Sequence, residues 1–249
     1  MLRWAIYLDI EGFEYLYLAA NKYLAYQLLT GLVRDVCFII EKIYPEPDLL
    51  FRDATFSFIA HQFGDGVTIT PGIIGKDTLK IFKPICVSIA LMRTTAMRGG
   101  FAKASISHGD MADFKGVYPD EIQDKFDESG SVIDTRYGSI TIVPVMGEGL
   151  IRAYKLSREV QGPLLIIDPI FEDEVAKLDF NIITKNKNYI EIDWIYPKVD
   201  LVNDIIEKIG LEVPTDKEIV KRIQSYLETY NALPLKWREN ALRLINISS

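Results

Sequence analysis

From Arg3 to Asp9 the chain is short-patterned, rich in aromatic and branched residues, and ends on a carboxylate. Such a run reads as a central strand buried on both faces. Apolar residues then recur at helical spacing through Leu16, Ala20, Tyr23, Leu24 and Leu28, which predicts a helix over Glu14–Leu32 with a break or bend at Gly31. A second helix is predicted over Val33–Ile43 and stopped by Tyr44-Pro45-Glu46-Pro47, because proline lacks the donor and clashes with a continuing helix. Ala54–Phe63 and Val67–Thr70 read as two strands around a tight Gly64-Asp65-Gly66 turn, and Pro71-Gly72 ends that hairpin. Thr78–Met97 is predicted helical, closed by Arg98-Gly99-Gly100, and Phe101–His108 is a strand that ends at Gly109.

The polar, aspartate-rich stretch from Asp110 to Tyr137 reads as an extended loop. A strand over Ser139–Val145, a helix over Glu148–Val160 and a strand over Leu164–Asp168 follow, then strands near Phe180–Thr184 and Tyr189–Ile195. Beyond Asp200 the pattern is helical, with helices over Thr215–Tyr230 and Pro234–Ile245. This order predicts an α+β fold, a mixed sheet covered on one face by helices rather than a doubly wound parallel sheet. Residues 1–197 are expected to form the main domain, and residues 198–249 a helical extension packed on it.

Composition narrows the class. With 249 residues, 49% hydrophobic and 25% charged, the chain is an ordinary globular protein. Its net charge of -7, with no lysine or arginine stripe, excludes a broad nucleic-acid-binding surface. The two cysteines, Cys37 and Cys86, sit in apolar helical stretches and read as buried, reduced thiols. No signal peptide is recognisable, and Lys22, Arg34 and Lys83 interrupt the apolar segments below the ~18 residues of a membrane span. A soluble, cytoplasmic chain without membrane contact is expected.

The chemistry centres on two carboxylates. Asp9 ends the predicted central strand, and Asp65 stands at the hairpin tip. If the hairpin pairs beside that strand, the two converge and offer hard oxygen ligands suited to Mg²⁺ or Mn²⁺. Each residue also has a plainer reading, Asp65 as a turn former and Asp9 as the cap of the following helix. Glu11-Gly12-Phe13 after Asp9 lets the backbone approach a phosphate, or simply turns strand into helix.

With these residues in place, Leu8-Asp9-Ile10-Glu11-Gly12-Phe13 resembles the D-I-x-G-F motif of class III adenylate and guanylate cyclases. Phe63-Gly64-Asp65-Gly66 is similar to their second metal hairpin, Ile106-Ser107-His108-Gly109 to a strand end, and Met146–Leu156 to a helix start. The four stretches follow the family order over roughly residues 3 to 170. The resemblance implies a ferredoxin-like, palm-type sheet with two Mg²⁺ or Mn²⁺ ions held by Asp9, Asp65 and the Ile10 carbonyl. It implies triphosphate binding by the Gly12 and Phe13 amides. The family's transition-state Asn falls on Ile151 and its Arg on Lys155, which can still hold phosphate as a point charge. Its purine-selecting Lys falls on Phe101 and the partner Asp on Pro144.

Ala104–Met111, Gly116-Val117-Tyr118-Pro119 and Ile142–Gly147 resemble more narrowly the Pycsar-type pyrimidine cyclases of bacterial antiphage defence. That resemblance implies conversion of UTP to 3′,5′-cyclic UMP and pyrophosphate across a homodimer interface. A smaller base needs a fuller pocket, and Phe101 is a candidate to fill it. Alternatives are CTP as substrate, a silent cyclase-like module that binds a nucleotide or a partner, and a palm-type enzyme that joins nucleotides. Lys187, beside Lys185, would reach a triphosphate or simply be solvated, and His108 reads as structural.

Overall fold

The structure, a computed structural model, describes residues 2–43, 58–71, 80–113, 117–129, 132–135, 138–141 and 145–246. Strand β1 (Leu2–Ile10) alternates Trp4, Ile6, Leu8 and Ile10 on one face with Ala5, Tyr7 and Asp9 on the other. Nearly all are buried, so β1 is the interior strand that its apolar run predicts. It pairs antiparallel with β3 (Gly66–Pro71) on one side and β4 (Ala102–Asp110) on the other. With β2 (Phe58–Phe63), β9 (Leu165–Ile167), β10 (Ile182–Lys185) and β11 (Ile190–Ile192) it forms a seven-stranded sheet, ordered β10-β11-β9-β4-β1-β3-β2. Among the described strands only β4 and β9 pair in parallel, which makes the sheet mixed and the fold α+β.

After the turn at Glu11-Gly12 comes a single turn of helix, α1 (Phe13–Tyr15), then a π-helical stretch (Leu16–Ala20). The chain breaks at Asn21, whose side chain caps α2 (Lys22–Phe38) by accepting from the Leu24 N–H. The expected break at Gly31 is absent; α2 continues through it without interruption. A side chain there would meet Arg98 Nε at 2.6 Å, so this glycine admits the arginine that pairs with buried Asp35. Helix Lys22–Glu41 is long and apolar enough, by length and composition, to cross a membrane, contrary to expectation. In this fold Ala25, Leu28, Leu32 and Val36 instead bury one face of it in the core. Cys37 lies on the exposed side of α2, not in the core, whereas Cys86 is buried.

Helix α3 (Phe82–Met97) is buried almost all round, between the sheet and the C-terminal helices. Buried Arg93 donates to the carbonyls of Ile195 and Pro214 and pairs with Asp216, pinning α7 (Asp200–Lys208) and α8 (Asp216–Thr229) onto it. Helices α7, α8 and α9 (Leu235–Asn246) feed Ile205, Ile223, Trp237 and Leu244 into the same buried cluster as β1.

The stretch read as a loop contains regular structure among its described residues. It holds β5 (Ala112–Asp113), an acidic helix α4 (Asp120–Ser129) and β6 (Val132–Thr135) paired with β7 (Gly138–Thr141). Pro119 followed by Asp120 and Glu121 is a helix-start pattern that the polar composition concealed. Pro45, Pro47, Gly72 and Pro144 lie outside the described residues.

Most helices lie on the Trp4 face of the sheet, but α5 (Glu148–Arg158), preceded by β8 (Val145–Met146), crosses the other. There Leu150 and Ala153 pack with Ala5 and Tyr7, and Ser105 Oγ donates to the Ala153 carbonyl at 2.7 Å. The approach is backbone to backbone: a side chain at Gly109 would meet the Gly149 nitrogen at 2.2 Å. Two of the motif stretches therefore touch. Gly109→Ala is expected to push α5 off β4 and destabilise the fold by about 1–3 kcal/mol, read from urea unfolding. Wild-type stability in that variant would show that α5 is not held by this contact. A further short helix, α6 (Glu172–Val175), follows β9.

Candidate active site

Asp9, one residue before the end of β1, stands opposite Gly66 on β3 and Lys103 on β4. Directly opposed residues of an antiparallel pair project to the same face, so Asp9 faces the α5 side with Tyr7, Thr68 and Ser105. The β2–β3 turn, with Gly64 at φ 59°, brings Asp65 beside it, and the Asp65 carbonyl accepts from the Ile10 N–H at 3.4 Å. Both aspartates line a cavity of about 880 Å³. Its floor is Tyr7 and Thr68, one wall is Phe13, Glu14, Tyr17 and Leu18, and the other is Leu150, Ile151, Tyr154 and Arg158 of α5.

The electrostatics are those of crowded anions. Burial, and next the charge of Asp65, pushes the Asp9 carboxyl up to about 7, against the pull of Lys103 and Arg158. Burial raises Asp65 as well. The same burial and the two aspartates drive the Tyr7 hydroxyl far upward, keeping it protonated. Asp9 Oδ1 is buried without a hydrogen-bond partner among the described residues. A buried carboxylate oxygen without a donor, beside a second carboxylate, fits a hard divalent cation. No group of three or more His, Cys, Asp or Glu side chains converges on one point among the described residues. A cation here would draw on two carboxylates and take its other ligands from water, substrate or the chain's carbonyls.

Gly12 sits at φ 74°, a left-handed conformation that strains any side chain, and it caps α1. Among the described residues no acceptor takes the Gly12 or Phe13 N–H. Phe13 lines the cavity; Ile10, buried on the other face of β1, and Gly12 do not line it.

Three expected binding residues lie elsewhere. Phe101 is 1% exposed and packs edge-on against Tyr226 and Trp237, so it fills the core and not a base pocket. Lys155 is exposed and does not line the cavity, because it falls on the stripe of α5 beside the wall formed by Ile151, Tyr154 and Arg158. Lys187 is exposed in the β10–β11 turn. Strand β11 runs antiparallel to β9, β9 parallel to β4 and β4 antiparallel to β1, so β11 runs with β1. Its start, and Lys187 with it, lies at the end of the sheet opposite Asp9. Neighbouring Lys185 pairs with Glu172. His108 is at that far end too, against Phe171 and near Asp168.

One buried ion pair reaches outside the motifs. Lys103 Nζ lies 2.7 Å from Glu11 Oε1, both side chains being under 10% exposed. The lysine also donates to the Val160 carbonyl, and the glutamate accepts from the Gly162 N–H. The signal was a lone lysine between small apolar residues in a strand otherwise buried. Glu11 neutralises Lys103, which leaves the aspartates beside it short of countercharge.

No protein-family model matches the sequence, and no curated protein does. Among solved structures the chain is similar to the guanylyl cyclase Cya2, at 9% identity and a TM-score of 0.47, covering 78% of this chain and 92% of that one. It is similar also to a bacterial light-regulated adenylyl cyclase, at 11% identity and a TM-score of 0.41, covering 84% of this chain and 97% of that one.

Proposed function

We propose that the chain is a class III nucleotide cyclase that converts a nucleoside triphosphate, UTP by preference, into its 3′,5′-cyclic monophosphate and pyrophosphate. The observation that carries this reading is the pair Asp9 and Asp65 on one cavity, with an oxygen of Asp9 buried and unpartnered. Asp9 and Asp65, with the Ile10 carbonyl, would hold Mg²⁺ or Mn²⁺. Such ions supply charge neutralisation at the phosphates and lower the pKa of a ribose hydroxyl. The ribose 3′-oxygen forms the new bond to the α-phosphorus, the bond to the bridging oxygen of pyrophosphate breaks, and the hydroxyl proton is released to water. The Gly12 and Phe13 N–H groups, which have no acceptor among the described residues, would donate to the phosphates.

The cavity is open, and Leu18, Phe63, Met146, Ile151 and Tyr154 leave large apolar surface on its rim. A second copy of the chain laid across that rim would cover it, in keeping with a homodimer whose sites lie at the interface. Production of a pyrimidine messenger in antiphage defence belongs to the same reading and rests on the sequence resemblance. One observation favours the silent nucleotide-binding module: Ile151 lines the wall, at the position where the cyclases that the sequence resembles carry an amide side chain.

Incubating the purified protein with Mn²⁺ and each of the four ribonucleoside triphosphates, with products read by mass spectrometry, tests the proposal. A cyclic pyrimidine monophosphate is the expected product. Nucleotide binding without product would establish the silent module, and a linear dinucleotide the joining enzyme.

A further inference from the structure

Helix α5 offers the cavity one face. At 3.6 residues per turn, Ile151, Tyr154 and Arg158 fall on a single stripe, and all three line the cavity. Lys155 lies about 40° beyond Ile151 at the outer edge of that stripe, is exposed and does not line the cavity. The charged groups among the described lining residues are the carboxylates of Asp9, Glu14 and Asp65 and the guanidinium of Arg158. Arg158 makes no hydrogen bond or ion pair among the described residues, whereas Arg152 on the outer side of α5 is paired with Glu148. An uncommitted guanidinium in a cavity otherwise lined by acids is either a counter-ion for the protein's own carboxylates or a ligand for an incoming anion. Asp9 already feels its charge. Divalent cations on the aspartates would displace it from the first role and free it for the second.

Resting on the cyclase reading, we infer that Arg158, and not Lys155, is the side chain with which this chain grips the polyphosphate of its substrate. The planar fork donates two parallel N–H groups to phosphate oxygens, which a lysine at that place would not.

The test uses inorganic tripolyphosphate with Mn²⁺, titrated calorimetrically into the wild-type protein, Arg158→Met, Arg158→Lys and Lys155→Met. Arg158→Met is expected to weaken tripolyphosphate binding about tenfold or more, Arg158→Lys to recover part of it, and Mn²⁺ alone to bind at least as tightly as before. A loss in Lys155→Met with none in Arg158→Met would overturn the assignment, as would wild-type affinity in Arg158→Met. The outcome is separable from catalysis. A protein that binds tripolyphosphate through Arg158 yet makes no cyclic product upholds this assignment and refutes cyclisation. Cyclic product made by Arg158→Met with unchanged KM and tripolyphosphate affinity does the reverse.

Discussion

Replacing Asp65 with Ala is expected to reduce cyclic product formation by about a thousandfold or more, because a metal clamp supplies several kcal/mol at the transition state. The fold should survive. Asp65 sits in a turn whose shape comes from Gly64, and the hydrogen bond at its carboxylate comes from its own backbone N–H. A second readout is independent of turnover. The charge of Asp65 is the second-largest cause of the upward shift at Asp9, which titrates at about 7 without metal. A cation binds the ionised carboxylate, so Mn²⁺ affinity of the wild-type protein should rise with pH up to about 7 and then level off. In Asp65→Ala the Asp9 titration should move to lower pH, visible by carboxyl NMR. Appreciable activity in that variant would sink the two-ion scheme.

Phe101→Ala is expected to destabilise the protein by about 3–5 kcal/mol while leaving the choice of base unchanged. Phe101 meets Tyr226 at 5.1 Å and Trp237 at 6.1 Å between ring centroids, and those two rings lie 5.5 Å apart. The cluster joins the start of β4 to α8 and α9, so a cavity there loosens the C-terminal helices from the sheet. Denaturant unfolding gives the first quantity, and the ratio of products from mixed UTP and CTP gives the second. A changed ratio at wild-type stability would return Phe101 to the substrate pocket.

Much of this site was legible in the residue order. The continuous apolar run of β1 put Asp9 at a strand end, and Gly64-Asp65-Gly66 between two strand patterns put the second carboxylate at a tip. Apolar runs and glycine turns are local properties, and both emerge from a few residues. The helical phase of α5 was legible as well, since Ile151, Tyr154 and Arg158 share a stripe in any α-helix. Which stripe faces the cavity was not, because that depends on Gly109 and Gly149 meeting at their backbones.

The sequence by itself determined the order of the main strands, the strand that carries Asp9, the turn that carries Asp65 and the shortage of basic surface. Those follow from nearest neighbours along the chain. Tertiary structure decided the rest. It buried Phe101 under residues more than a hundred positions away, carried Lys187 to the far end of the sheet through the direction of β11, and closed Lys103 onto Glu11. Each of those outcomes depends on which distant segments pair. A side chain's partners across a sheet are chosen by register and direction, which no local pattern encodes.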